Sequence, residues 1–594
     1  MSETTEHLMP EPTHEVGEYH KVMVPMRDNI RLATHVWLPE GKGPWPVLLM
    51  RNPYVNSSDV YDPSFVLFAR YGYAVVLQEC RGRGSSEGTW EPYVNERSDG
   101  LDTLDWLVRQ TWQDGSIGLY GGSYLSFNQW ILADCLPPEV KTLYLSVMGT
   151  DLYRFAYMDG MFKPDIYTSW ALSNSGKDWG EADLAEMAHN AYRIWPPIEM
   201  DEKLLGKRLP WYRDFIANSG SGDSLWNEGL WGLLKSMPPQ INIPVCMVCG
   251  WFDIALETMF TAFHQLRPDI RDRSRFTVGP WVHSLVPYGD LDYPGGRVDG
   301  PNGGTKAALD WFDAMVKNQP YKEQLGVVHT YVIGDKGWRT WEQWPPENDA
   351  MLFYLNEGKS LGKRPSAQPA SFSYEYDPKH PVPTAGGSTL LSVYGDSPYL
   401  PKAASVLQPE AGSRPDVISF LSEPLAQDLL VAGQMRVGLH VSSTAADTAF
   451  TVKLMEVFAS GEAYNFADGI TSLAYRNGSS MRLSYEPGTI VSISIELWPI
   501  TWRLKSGSRL RLDVSSSNFP AYHVHPNVAG NWGEQGSPVT AKQCLYGGGD
   551  LVSFVRLPVA RYLDIGNVAY CGLKGNIPSF ANRFISFFVK IVVS

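Results

Sequence analysis

Six short apolar runs punctuate the first half of the chain: PVLLM (46–50), YAVVLQE (73–79), IGLYG (117–121), TLYLSVMG (142–149), PVCMVCG (244–250) and RFTVG (275–279). None alternates apolar with polar positions, so each predicts a strand buried on both faces. Between the second and third runs, residues 95–109 place Leu101, Leu104, Trp106, Leu107 and Val108 among acidic residues, the pattern of a helix. Strand, helix and strand in this order imply a parallel α/β sheet.

The interval from Gly149 to Pro244 is far longer than one crossover needs. It is rich in Trp, Tyr and Met, with helical patterning at Glu181–Ile194 and Leu225–Leu234, and predicts a helical cap inserted into the sheet. After Pro320 the texture changes to short alternating stretches separated by Gly, Pro, Asn and Ser, from VVHTYVI (327–333) to FISFFVKIVV (584–593). These predict an all-β jelly roll. The expected division is an α/β domain over 1–145 and 241–320 with a loose arm at 1–18, a cap over 146–240, and the jelly roll over 321–594. At 594 residues the chain is too long for one core, which agrees with several units.

Charge narrows the partners. Lys+Arg 50 against Asp+Glu 64 leaves −14, which argues against nucleic acid and anionic membrane. No apolar stretch reaches the length of a membrane span, and the first residues carry neither a basic nor an apolar signal region, so a cytoplasmic address is expected. The six cysteines are too scattered for a disulfide framework. Cys246 and Cys249 form a C-x-x-C inside a buried strand, and His523-Val524-His525 lacks a third ligand, so no metal and no cofactor are expected. With 21 Trp, 30 Tyr and 23 Phe, an aromatic-lined pocket is expected.

The chemistry centres on Gly121-Gly122-Ser123-Tyr124-Leu125-Ser126, where an apolar strand ends and a helix begins. Small residues before the serine suit a nucleophile elbow, a tight turn that lifts the hydroxyl above the sheet. A serine nucleophile needs a base and an orienter, which in this fold class follow in the order acid, then histidine. Asp253 follows the strand PVCMVCG, and His283 follows RFTVG. Both stand at C-terminal strand ends, where α/β sheets build their sites. His264 is the competing base, but it lies within a helical stretch.

Together these motifs resemble the cocaine esterase-like and X-Pro dipeptidyl-peptidase-like (CocE/NonD) hydrolases. The elbow matches with Ser126 in place of the family's last glycine. An R-x-P-Y loop reads Arg51-Asn52-Pro53-Tyr54, and a Q-D-x-R-G stretch reads Gln78-Glu79-Cys80-Arg81-Gly82 with Glu for Asp. G-W-x-D and G-P-W-x-H stand intact at Gly250–Asp253 and Gly279–His283, and S-S-S-N-F-P at Ser515–Pro520. The resemblance implies an α/β-hydrolase fold for the first domain, with the inserted helical cap and C-terminal jelly roll. It also implies a serine hydrolase of esters or amides acting through an acyl-enzyme, with an oxyanion hole made of the Tyr124 backbone N–H and the Tyr54 phenol.

Family members differ in their acyl groups. Those that hold a free α-ammonium need carboxylates, some of them just after the catalytic Asp, whereas this chain has Ile254, Ala255 and Leu256 there. A small neutral aromatic or aliphatic acyl ester is therefore the expected substrate, with Trp170, Ala255 and Leu256 lining its site. Asp159, Asp165 and Glu257 keep open an α-amino acid ester, β-lactam acyl or X-Pro substrate. A non-catalytic carbohydrate-binding protein is the reading from another class. A homo-oligomer is left open.

Overall fold

The computed structural model describes residues 9–54, 66–176, 183–297, 304–335, 337–390 and 397–561. Ten strands form the first sheet: β1 (Val16–Pro25), β2 (Arg31–Pro39), β3 (Trp45–Asn52), β4 (Ala74–Glu79), β5 (Gln113–Gly122), β6 (Val140–Ser146), β7 (Val245–Gly250), β8 (Arg275–Gly279), β9 (Val327–Val332) and β10 (Gly337–Trp341). Their spatial order is β1-β2-β4-β3-β5-β6-β7-β8-β9-β10. Pairing is parallel from β4 through β9, with antiparallel strands closing both edges. All six apolar runs become strands of this sheet, and β4, β7 and β8 are buried along their whole length.

Helix α1 (Glu96–Leu107) crosses between β4 and β5, and α2 (Tyr124–Trp130) follows β5 directly. Between β6 and β7 the chain forms short helices, among them α3 (Pro164–Ser173), Leu184–Ala191, Pro210–Ala217 and Gly229–Lys235. They hold together through aromatic contacts, such as Tyr167 edge-on to Phe215 at 4.8 Å and Trp170 edge-on to Trp211 at 5.3 Å. Pro at the start of α3 and Pro210–Ala217 suits the first helical turn, whose N–H groups have no intrahelical partner.

Among the described residues from Asn348 onward, thirteen strands make a separate all-β network, mostly antiparallel. Two departures from the sequence reading appear. VVHTYVI was expected in the jelly roll, but β9 pairs in parallel with β8, Phe276 opposite Val328, and β10 adds to it. The first sheet therefore extends beyond residue 321, because β9 is buried nearly throughout and its Tyr331 carbonyl accepts the Trp251 indole N–H at 2.7 Å. The described part of the arm, from Met9 on, is tied to the fold rather than loose. Tyr71 donates to the Pro10 carbonyl at 2.9 Å, the Thr13 and His14 N–H groups bond the Arg70 carbonyl, and β1 begins at Val16. FISFFVKIVV, Cys571, and Glu181 with Ala182 lie outside the described residues.

No helix among the described residues is long and apolar enough to cross a membrane. Cys246 and Cys249 are buried free thiols, and burial pushes Cys246 up to about 12. His523 packs on Trp532 at 4.6 Å, and burial lowers it to about 4; His525 faces Asp447 at 3.5 Å. Among the described residues no three ligating side chains come together as a metal site.

Candidate active site

Around Ser123, the expected nucleophile, the backbone geometry is unusual. Gly121 has φ +148, and a Cβ there would overlap Leu125. Ser123 itself sits at φ 54, ψ −123, a region L residues adopt only when the surroundings impose it. The surroundings are explicit. The Ser123 N–H donates to the Ser146 carbonyl at 2.9 Å, and the Ser123 carbonyl accepts from Ser126 and Phe127 as α2 starts. Ser126, where the family has glycine, fills its place with a hydroxyl 2.8 Å from the Gly121 carbonyl and 2.9 Å from that of Ser146. It also accepts from the Ser146 N–H at 2.8 Å. The hydroxyl ties β5 to β6 behind the elbow.

Asp253 and His283, the acid and base expected from the sequence, follow the ends of β7 and β8. Trp281 crosses both strands so closely that a Cβ at Gly250 or Gly279 would run into it. The Trp251 N–H bonds the Gly279 carbonyl at 2.8 Å and the Phe252 N–H bonds that of Trp281 at 3.0 Å. These contacts bring Asp253 and His283 together. His283 Nδ1 lies 2.8 Å from Asp253 Oδ2, and Nε2 lies 3.1 Å from Ser123 Oγ. Asp253 Oδ1 accepts from the Ala255 N–H at 2.6 Å. An ionised carboxylate only accepts, so Nδ1 carries its proton and Nε2 is left as the acceptor facing Ser123. Asp253 and His283 are buried, and Ser123 is half-buried. His264 is engaged elsewhere, donating from Nε2 to the Trp344 carbonyl at 2.8 Å.

Tyr54 reaches the same point from the loop after β3. Its N–H bonds Asn52 Oδ1 at 3.0 Å, and its hydroxyl accepts from the Trp170 indole at 3.0 Å. The loop is anchored by Arg51, which is buried beside Glu96 at 3.0 Å and bonds Gln78 Oε1 at 2.8 Å. Glu96 also accepts from the Tyr124 hydroxyl at 3.1 Å, and that hydroxyl accepts from the Tyr93 N–H at 2.6 Å. Arg51 in the R-x-P-Y loop and Tyr124 in the elbow thus share one buried carboxylate.

A cavity opens over Ser123 and His283. Its walls are Tyr54, Tyr93, Tyr124, Met148, Phe155, Ile166, Tyr167, Trp170, Ile254 and Leu390. Trp170 is among them as the sequence reading expected, whereas Ala255 and Leu256 are not. The Ala255 N–H is spent on Asp253, the buried Leu256 opens the helix Leu256–Gln265, and Ile254 is the residue of that edge that faces inward. Ile166, Tyr167, Phe155 and Leu390 were missed because they come from the cap and the β domain, where no spacing ties them to Ser123. Asp159, Asp165 and Glu257 do not line the cavity. Asp165 lies behind it, its Oδ2 accepting from the Leu390 N–H at 3.2 Å, and burial pushes its carboxyl up to about 8. Burial likewise raises Asp159 to about 7.

Comparison with known proteins follows the same outline. Residues 28–285 match the family profile described as X-Pro dipeptidyl-peptidase (S15 family), and residues 319–555 match that of the X-Pro dipeptidyl-peptidase C-terminal non-catalytic domain. Cocaine esterase from Rhodococcus sp. (strain MB1 Bresler) is 32% identical over 550 residues, spanning 86% of this chain and 92% of that protein. The crystal structure of an aminopeptidase from the marine sediment archaeon Thaumarchaeota archaeon superposes with a TM-score of 0.78 at 22% identity, covering 94% of this chain and 99% of the other. An α-amino acid ester hydrolase gives 0.77 at 23%, covering 94% and 100%. At such identities these two structures speak for the fold. With the cocaine esterase similarity running through both the α/β and the all-β parts, the chain belongs to the CocE/NonD family of serine hydrolases.

Proposed function

We propose that Ser123 is the nucleophile, His283 the general base and acid, and Asp253 the group that fixes the His283 tautomer. The observation that carries this reading is the chain Ser123 Oγ, His283, Asp253 at 3.1 and 2.8 Å on the floor of an apolar cavity. Ser123 Oγ attacks the acyl carbonyl while its proton passes to His283 Nε2. The oxyanion is received by the Tyr124 N–H and the Tyr54 hydroxyl, where one good donor contributes roughly 3–4 kcal/mol. His283 then gives the proton to the departing alcohol or amine, leaving the acyl group on Ser123. Water, deprotonated by the same nitrogen, releases the acid.

The substrate we infer is an ester or amide of a small neutral aromatic or aliphatic acid. The aromatic and aliphatic walls support it, since an α-ammonium there would lose its hydration without gaining a counter-ion. The free thiols Cys80, Cys246 and Cys249 favour a reducing compartment, the cytoplasm. Two experiments test the reading. A fluorophosphonate should label Ser123, and Ser123→Ala should lose both labelling and ester turnover by several orders of magnitude while folding normally. Phenylacetyl p-nitrophenyl ester should react with kcat/KM about 10²-fold or more above the phenylglycyl ester. Faster cleavage of the phenylglycyl ester would replace the neutral-acyl reading with an amino-acid one.

A further inference from the structure

We propose that Trp170 is a positioning residue of the oxyanion hole, its indole N–H holding the Tyr54 phenol so that the one hydroxyl proton faces the developing oxyanion. The inference rests on the role proposed above for Tyr54. An indole nitrogen can only donate, so the 3.0 Å contact fixes the direction of the bond from Trp170 Nε1 to Tyr54 Oη. A phenolic proton lies near the ring plane and chooses between two orientations. A donor on one side of the oxygen repels the proton from that side and leaves the other. The bond also withdraws electron density from the oxygen, which makes the remaining O–H a stronger donor. Both residues are buried, so bulk solvent has little access to either group.

The indole is itself held still. Its ring stacks on Tyr93 at 5.6 Å and 24° and on Tyr124 at 6.3 Å and 16°, and meets Trp211 edge-on at 5.3 Å. Trp170 rides on α3 of the cap, whereas Tyr54 belongs to the loop after β3. The bond therefore sets the donor from the cap side, and placement of the cap becomes part of catalysis. A simpler account is that Tyr54 merely satisfies a buried indole N–H in a residue that serves as a wall. The two accounts differ in what they do to kcat. A wall acts on acyl binding and selectivity, whereas a clamp acts on the transition state and only through Tyr54.

The test is a double-mutant cycle on full-length enzyme with phenylacetyl p-nitrophenyl ester. Tyr54→Phe should lower kcat by about 10²–10³-fold. Trp170→Phe should lower kcat by about 3–30-fold, more than it changes KM, and in the Tyr54→Phe background it should cost less than about twofold further. Independent, multiplying effects, or a change confined to KM, would overturn the clamp while leaving the Tyr54 role standing. An unchanged kcat in Tyr54→Phe would instead remove the Tyr54 role and the clamp with it. Because Phe is smaller than Trp, 3-benzothienylalanine installed at position 170 supplies a variant of the same shape without the N–H. It should reproduce the loss in kcat, and full kcat in that variant would overturn the proposal even if Trp170→Phe failed to fold.

Discussion

At Ser126 a single hydroxyl replaces the open space that glycine would leave behind the turn at Ser123. Its contacts with the Gly121 carbonyl and both backbone groups of Ser146 keep a buried oxygen satisfied and fasten two strands where Ser123 is strained. Ser126→Ala would leave the Ser146 N–H without this acceptor, a buried loss worth about 1–3 kcal/mol. We expect lower stability in urea unfolding and less than a tenfold fall in kcat, since the groups proposed to react are untouched. A second residue-level outcome separates the two candidate bases. Burial lowers the His264 pKa, and the ring donates to the Trp344 carbonyl, so its place is structural. His264→Ala should retain ester turnover, whereas His283→Ala should lose it by several orders of magnitude. The reverse pattern would transfer the base to His264.

Among the elements, β7 and β8 show why glycine opens both the G-W-x-D and G-P-W-x-H motifs. Trp281 passes over the two strand ends, and its ring N–H bonds the Gly296 carbonyl, so neither strand can yield to an added methyl. Gly250→Ala should part Asp253 from His283. A fall in kcat/KM of about 10²-fold or more is expected, since small misplacements of reacting groups cost that much. Retained activity would show that Trp281 can move aside. These strands were legible in the sequence because unalternating apolar runs have few other uses, and RFTVG and VCMVCG became strands at their expected places. The order of the proposed triad could be read from the sequence because Ser123, Asp253 and His283 each follow a strand. The β9 strand was misassigned because alternation in VVHTYV also suits a strand near a sheet edge, where β10 then covers it. The cavity walls were largely hidden. Ile166 and Leu390 lie more than two hundred residues apart and meet only after the cap and the β domain dock.

That docking is a property of the whole molecule, and Asp165 sits at its seam. The carboxylate is carried by the cap helix α3 and accepts from the Leu390 N–H of the β domain, with Lys163 nearby as the main opposing charge. Burial outweighs that cation and raises the folded-state value to about 8, whereas an unfolded chain would titrate near ~3.9. Between those values the folded protein holds a proton that the unfolded chain has released. The contribution of Asp165 to stability is therefore full below about pH 4 and is lost progressively as pH rises to about 8. Asp165→Asn keeps an oxygen to accept from Leu390 and removes the charge. It should leave stability unchanged near pH 4 and raise it by about 2–5 kcal/mol above pH 8, read from urea unfolding at each pH. Parallel stability curves for the two proteins would show that Asp165 is not protonated in the fold. The same measurement bears on the acyl pocket. A carboxyl that stays neutral near pH 7 cannot pair with an α-ammonium behind Ile166. If Asp165 instead proves ionised, the cap holds a counter-charge within a few residues of the cavity wall, and the preference for neutral acyl groups should weaken in step.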